Sequence, residues 1–425
     1  MLDKIIILLL EIGFGITFNI VGTISMSELV LIGTAFVYIK MDLFVKHSIL
    51  KTISWLYIGL LLSQILSEIV VGNEIANSLK GFAVTIVSYL HFIFLFSYFV
   101  KDRKLVIYAI IGMLLKSFIF GSEFDGDISE VVKGEGATFL KFYLVPIITN
   151  IVLLISIYAK KGRISLLCIF IGFLFIVLGA RSGGLSILIT GLLAYFIVFT
   201  KRRINEKKLL MITLLVGVVG YGLYTVYVKE VLSGKITAGN SMQLKATKNP
   251  YNPINLLVMG RTEMFVGWVA FMDEPWFGHG AWAKDTSKKY LALMMKMKDS
   301  ESGESNLDII PSHSVLVGSG MQNGILAFLF MGYILFFFVK KGFISVNKTD
   351  PYLIISISFI ITTIWTGLFS PSSHFRLTLP LFFAFFVATS IINERKIRRR
   401  KKYLSINQIK KNEPRHIGVD SNIRQ

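Results

Sequence analysis

Runs of about twenty apolar residues, repeated from one end of the chain to the other, constrain this fold more than any other feature. Inside a lipid bilayer every backbone N–H and C=O must be satisfied within the protein, so apolar runs of that length become helices. The chain is 54% hydrophobic and only 17% charged over 425 residues, more apolar surface than a soluble domain can hide in one core. The reading is therefore an all-α polytopic membrane protein with about twelve transmembrane helices. They fall near residues 4–23, 27–45, 52–71, 79–100, 104–121, 138–159, 164–180, 184–200, 208–229, 314–339, 351–370 and 375–393. The first run lacks an Ala-x-Ala-like cleavage site and is followed directly by the second, so no separate signal peptide is expected.

Loop charge sets the orientation. Alternate connections carry Lys40, Lys46 and Lys51; Lys101, Arg103 and Lys104; Lys160, Lys161 and Arg163; Lys201, Arg202, Arg203, Lys207 and Lys208; and Lys340, Lys341 and Lys348. The opposite connections hold Glu68, Glu74, Glu123, Asp125, Asp127, Glu130 and Glu135. By the positive-inside rule both termini are cytoplasmic, N-in and C-in. Residues 1–394 then form the membrane domain. Residues 395–425 form a basic cytoplasmic tail, expected to be poorly ordered and drawn to anionic lipid. This distribution accounts for the formal net charge of +19 without any nucleic-acid partner. The single cysteine, Cys168, lies in an apolar run, so no intramolecular disulfide and no thiol metal site are expected. Two basic residues break the pattern: Arg181, in a short external turn, and Arg376, at the start of the last run.

The largest external region spans residues 231–312, between the ninth and tenth runs, and is too long for a plain connector. Residues 254–272 read as one helix or two short ones, with Met264, Phe265, Trp268, Val269 and Met272 as an apolar stripe that begins at Arg261. A turn follows over residues 273–280. Residues 288–298 alternate lysines with Leu291, Leu293, Met294, Met295 and Met297, the pattern of an amphipathic helix lying along the outer lipid surface. The region closes at Pro311-Ser312-His313, which reads as a helix start with Ser312 as the N-cap.

No phosphate-binding glycine loop, dinucleotide turn, Cys/His metal spacing or Gly-x-Ser-x-Gly elbow is present. What remains is a set of external polar residues: Arg181, Arg261, Glu263, His279, His313, His374 and Arg376. Each has a bland reading. Arg181 can snorkel to lipid phosphates, Arg261 can be an ordinary loop charge, Glu263 a first-turn helix charge and His313 a helix-start residue, while His279 and His374 read as structural. Jointly they suit a diphosphate substrate. Arginine forks orient phosphate oxygens and stabilise a diphosphate leaving group, and a neutral histidine nearby can accept a proton from an attacking hydroxyl.

These residues also resemble a known family. Arg181-Ser-Gly-Gly-Leu185 fits the Arg-x3-Leu motif of the O-antigen ligase/polymerase superfamily, whose multi-span enzymes transfer glycans carried on undecaprenyl diphosphate. His313-Ser314, nine residues and then Gly324-Ile-Leu fit its His-[Asn/Ser/Glu]-x9-Gly-x-x-[Gly/Thr/Tyr] motif, with Ala327 departing at the last position. Gly260-Arg-Thr-Glu-Met-Phe and Pro275-Trp-Phe-Gly-His-Gly280 look like the family's arginine-bearing helix and Pro-x-x-Gly-x-Gly turn.

The resemblance implies a glycosyltransferase in the cytoplasmic membrane, its active site on the external face. It would polymerise lipid-linked repeat units into a capsular or O-antigen-like polysaccharide. Arg181 and Arg261 would grip the diphosphate and His313 would act on the acceptor hydroxyl, with no cofactor and no metal. Glu263 and, on topology alone, Arg376 join the substrate-binding set. Implied partners are the lipid-linked oligosaccharide, the growing glycan, membrane lipids, a chain-length regulator and a flippase. Three alternatives stay open: a ligase that moves finished glycan to another acceptor, a lipid-linked glycan flippase or transporter, and a peptidoglycan glycosyltransferase leaning on Asp273 or Glu274.

Overall fold

The computed structural model describes residues 1–20, 22–121, 139–200, 206–235, 249–252, 255, 260–298 and 309–412. The acidic residues expected at 123–135 and the basic Lys201, Arg202 and Arg203 lie outside the described residues.

The chain is a helical bundle. It opens with α1 (Leu2–Gly13), a small antiparallel hairpin of β1 (Thr17–Asn19) and β2 (Thr23–Ser25), and three short helices: α2 (Met26–Gly33), α3 (Ala35–Tyr38) and α4 (Met41–Lys46). The two apolar runs expected at 4–23 and 27–45 are thus not continuous helices. The reason is local. Ser25 and Glu28 form a capping box, Glu28 N–H donating to Ser25 Oγ (3.3 Å) and Ser25 N–H to Glu28 Oε2 (2.6 Å), which starts a new helix after the hairpin. Thr34 then closes α2 by donating to the Val30 carbonyl (2.6 Å).

Next come α5 (Ser48–Val71), α6 (Ile75–Phe99) and α7 (Val106–Phe120). A π-helical turn over Leu140–Leu144 leads into α8 (Val145–Ser156), followed by α9 (Lys161–Val177), α10 (Arg181–Phe199) and α11 (Glu206–Leu232). The 231–312 region, read above as external, supplies α12 (Thr262–Asp273) and α13 (Lys289–Lys298). The chain ends with α14 (Val315–Ser345), α15 (Leu353–Phe369), α16 (Ser373–Leu377) and α17 (Leu379–Asn412). Among the described residues, α5, α6, α10 and α14 are long and apolar enough to cross a membrane, with shorter apolar helices around α8 and at α15. This is a multi-span membrane protein. The last helix runs on to Asn412, so the start of the basic tail is helical rather than unstructured.

α6 and α17 lie at the centre. Phe92, Phe96, Phe383, Phe385 and Phe386 are fully buried, and Phe338 of α14 stacks on Phe383 with centroids 3.8 Å apart. Helices apolar on every side belong in such a centre, and in lipid their association rests on close van der Waals packing rather than on escape from water. The α9–α10 pair follows that rule. A Cβ on Gly184 would stand 2.7 Å from the Gly172 carbonyl, so two of the glycines around Arg181 serve helix contact, Gly183 lying against Val145.

Two ends of the bundle are distinguished by their contacts. At one, Arg103 pairs with Asp350, Lys161 donates to the Lys348 carbonyl (2.6 Å) and Lys348 to the Thr200 carbonyl (2.9 Å). The connections rich in lysine and arginine therefore meet there. The external region docks at the other end, where Lys284 pairs with Glu74 (2.9 Å).

The external region has its own small core: Val266, Ala270 and Phe271 of α12, Tyr290, Leu291 and Met294 of α13, Ile310, and Met321 of α14. Two expectations change here. α12 buries Thr262, Val266, Gly267, Ala270 and Phe271, leaving Trp268, Val269 and Met272 of the expected stripe exposed. α13 turns its apolar face onto α12 and α14, so that Leu291 and Met294 are covered by protein rather than by lipid.

Candidate functional site

The site is built on a break in α14. Gly324 has φ +75° and ψ −170°, so the helix is interrupted there and resumes at once. The interruption frees backbone groups at residues 321–325, and the external turn takes them up. His279 N–H donates to the Met321 carbonyl (2.9 Å), Gly280 N–H to the Gln322 carbonyl (2.8 Å) and Ile325 N–H to the Pro275 carbonyl (2.7 Å). A Cβ on Gly324 would collide with the Trp276 carbonyl, and one on Gly278 would lie 2.6 Å from the Gln322 carbonyl carbon. The Pro-x-x-Gly-x-Gly turn and the glycine of the histidine motif are thus the two halves of one backbone joint.

A carboxylate locks the joint from the other side. Glu68 of α5, 6% exposed, accepts from Ala281 N–H (2.6 Å), Asn73 Nδ2 (2.8 Å) and Ser78 Oγ (2.6 Å), and Ser67 Oγ donates to the Phe277 carbonyl. Asn73 also donates to the Ala281 carbonyl (2.8 Å). Outside the bundle, hydrogen bonds from Lys289 and then Tyr290 hold the Asp273 carboxyl below its usual range, and burial with that same bond pushes the Tyr290 phenol up. His279 Nε2 donates to the Ala270 carbonyl (2.8 Å), a structural role.

His313 stands where this loop enters α14. The N-cap is Ser314, not Ser312: its Oγ accepts from Val317 N–H (3.1 Å) and donates to the Gly367 carbonyl (3.3 Å). Ser312 instead packs between α12 and α14, facing Gly267 and Gly318, whose missing side chains make room for it. Arg261 caps the start of α12 and lies over the Trp365 ring, 5.4 Å from its centroid. Trp365 and Gly367 are two residues apart at one end of α15, so Arg261 and the His313-Ser314 pair converge on that end. Burial pulls the Arg261 guanidinium below the usual arginine range, with the Glu263 carboxylate acting in the opposite direction. A cation so shielded from water attracts an incoming anion more strongly than an exposed one.

Arg181 opens α10, which packs on α15. Its Nη2 donates to Tyr227 Oη (3.2 Å) and its guanidinium lies 5.6 Å from the Tyr227 centroid. Tyr224, one turn earlier on α11, donates to the Pro250 carbonyl (2.6 Å). Tyr227 and Trp365 are the aromatic seats of the two arginines. The sequence reading passed over both, although Tyr221, Tyr224 and Tyr227 recur every third residue.

Arg376 has partners of a different kind. It pairs with the fully buried Glu28 (2.9 Å) and donates to the Thr23 carbonyl (3.0 Å). His91 Nδ1 donates to the Arg376 carbonyl (3.2 Å), and its Nε2 faces Glu11 at 3.5 Å. This buried network fixes α16 to α2 and α6. His374 faces Thr378 Oγ1 (3.4 Å) in α16. Among the described residues, no three His, Cys, Asp or Glu side chains converge as a metal site requires.

The arrangement thus gathers an arginine and a histidine on one end of α15, with a second arginine on the helix packed beside it. Comparison with known families decides what it belongs to: residues 166–332 match the O-antigen ligase model. They form an O-antigen ligase family domain. The domain begins within α9 and ends within α14, taking in Arg181, Arg261 and His313. The family these residues match is one of O-antigen ligase and polymerase glycosyl transferases, which act on lipid-linked glycans. No curated protein matches the chain.

Proposed function

We propose that the protein polymerises lipid-linked oligosaccharide repeat units into a capsular or O-antigen-like polysaccharide at the outer face of the cytoplasmic membrane. The observation that carries this reading is the convergence of Arg261 and His313-Ser314 on the Trp365–Gly367 end of α15. His313 takes the proton of an acceptor hydroxyl, and the oxygen attacks the anomeric carbon of the donor sugar. The bond from that carbon to the diphosphate oxygen breaks, and undecaprenyl diphosphate leaves with its charge held by Arg181 and Arg261. Glu263 tunes Arg261, and Arg376, already held by Glu28, serves the site by fixing α16. The meeting of the lysine- and arginine-rich connections at one end of the bundle supports a cytoplasmic face there and an external one for this site.

Polymerase is favoured over ligase by Ala327. It stands where the ligase motif carries glycine, threonine or tyrosine, and it is fully buried in α14. The test is purified protein in lipid with a lipid-linked repeat unit. A ladder of products is expected from the wild type. One-step transfer to a foreign acceptor would make it a ligase, and no turnover would favour transport. Arg181→Ala, Arg261→Ala and His313→Ala should each cut chain extension by about a hundredfold or more while the protein still inserts in the membrane. Wild-type chain lengths in all three would overturn the mechanism.

A further inference from the structure

The apolar stripe of α12 faces away from the protein. Trp268, Val269 and Met272 are exposed, and so are Trp276 and Phe277 in the turn that follows. Trp276 shows 73% of its surface. Single exposed apolar residues are ordinary, but this many within so short a stretch, two of them tryptophan, mark a contact surface. The first charge after the stripe, Asp273, is taken up by Lys289 and Tyr290 of α13 (2.7 and 2.8 Å).

Depth along α14 says what covers it. Beyond the break at Gly324 this helix presents its own exposed apolar stripe, Leu326, Leu329, Tyr333 and Phe336, recurring every three or four residues. In a helix that crosses a bilayer, such a stripe is the face turned to lipid. The first exposed lysine after it is Lys340. The rise from Gly324 to Lys340 is about 24 Å at ~1.5 Å per residue, short of the ~30 Å hydrocarbon core. Counted even from Ile344, the last exposed apolar residue of α14, the core reaches back to the break. The break therefore lies at or inside the edge of that core, and what packs on it shares its depth. Trp268 meets Phe328, just past the break, with ring centroids 6.1 Å apart, and Phe271 stacks on the same ring (5.2 Å). The Trp276 carbonyl lies against Gly324 itself.

We propose that the exposed face of α12 and the turn after it form a membrane-docking surface, seated in the headgroup–acyl boundary of the leaflet at this end of the bundle. The chemistry selects lipid. Tryptophan joins an apolar body to one N–H donor, which suits a boundary that is apolar on one side and wet on the other. An amphipathic helix whose apolar face is uncharged sinks about 5–10 Å into that boundary. A protein partner would instead have to displace the lipid that covers the adjoining stripe of α14. The lipid contact expected of α13 thus falls to α12. Arg261 stands at the start of α12, so the depth of this face also sets the depth of that guanidinium. The docking surface does not depend on the glycan-transfer reading.

The test uses the full-length protein in vesicles of phosphatidylethanolamine and phosphatidylglycerol. In a Cys168→Ser background a nitroxide is attached at Met272→Cys, with Leu329→Cys as the lipid-facing reference and Thr286→Cys as the aqueous one. Power saturation then compares collisions with oxygen, which concentrates in lipid, against collisions with a water-soluble nickel chelate. The oxygen-to-nickel ratio at Met272→Cys is expected to stand several-fold above that at Thr286→Cys and to approach that at Leu329→Cys. Val269→Cys, on the same face, should give the same result, which guards against local distortion by one label. A ratio equal to that of Thr286→Cys at both positions would mean that water covers the face. Shielding from both reagents would mean that protein covers it, a second copy or another chain. Either result overturns the docking surface. No glycan enters the measurement, so its outcome is separate from that of the transfer assay.

Discussion

Three arginines share an end of this bundle, and their surroundings assign them different work. Arg181 and Arg261 rest on aromatic faces, Tyr227 and Trp365, an arrangement that positions a guanidinium. Arg376 is tied instead to a fully buried carboxylate. Removing one member of a buried pair strands the other charge, so Arg376→Ala should lower stability by about 3 kcal/mol. Pairing it with Glu28→Gln should recover much of that loss, because the stranded charge is then gone. Thermal melting of the purified protein in detergent checks both. A melting temperature unchanged in Arg376→Ala would remove the positioning role and reopen a phosphate contact for this residue. The sequence could not separate these cases. It shows Arg181 and Arg376 out of step with the orientation rule, but Glu28 lies 348 positions before Arg376 and the hairpin at residues 17–25 precedes the helix that brings them together.

At the scale of elements, the decisive object is the joint between the Pro275–Gly280 turn and the interrupted helix α14. Its two halves were legible as separate motifs, because glycine at fixed spacing is visible in a sequence. That they complete each other was not legible, since backbone hydrogen bonds leave no trace in side-chain pattern. The same limit explains the capping residue. Ser312 and Ser314 are equally good N-cap chemistry, and Gly267 and Gly318 decide between them by giving Ser312 a packing slot. It explains α12 as well, whose apolar residues cover more than one face, so that spacing alone did not say which face meets α14. The long apolar helices were read correctly because a uniform apolar run needs no knowledge of its neighbours. Gly324→Ala should undo the joint. A side chain there meets both an unfavourable backbone region and the Trp276 carbonyl, a cost of about 3 kcal/mol. Faster proteolysis of the external region, with the membrane helices still protected, is the expected result. A digestion pattern like that of the wild type would show that α14 tolerates a continuous helix.

At the scale of the whole molecule, charge and fold agree on two different ends. Arg103, Lys161 and Lys348 meet around Asp350 and Thr200 at one, while Glu68, Glu74 and the external turn meet at the other. Each lysine or arginine close to an anionic leaflet contributes about 1 kcal/mol, so a cluster of them outweighs the single exceptions at Arg181 and Arg376. The external polymerisation proposed above needs the end that holds Arg261 and His313 to face outward, and the positive-inside rule supports that orientation. Cysteine labelling tests this directly, because Cys168 is the chain's one cysteine and is 1% exposed. In a Cys168→Ser background, Thr286→Cys places a thiol on the exposed surface of the external turn, and Lys101→Cys places one on the basic end. A membrane-impermeant maleimide should label Thr286→Cys in intact cells and Lys101→Cys only after the membrane is opened. The reverse pattern would put the site on the cytoplasmic side, where Arg181, Arg261 and His313 would meet a lipid-linked donor before its export, and the external polymerisation proposed above would fall with it.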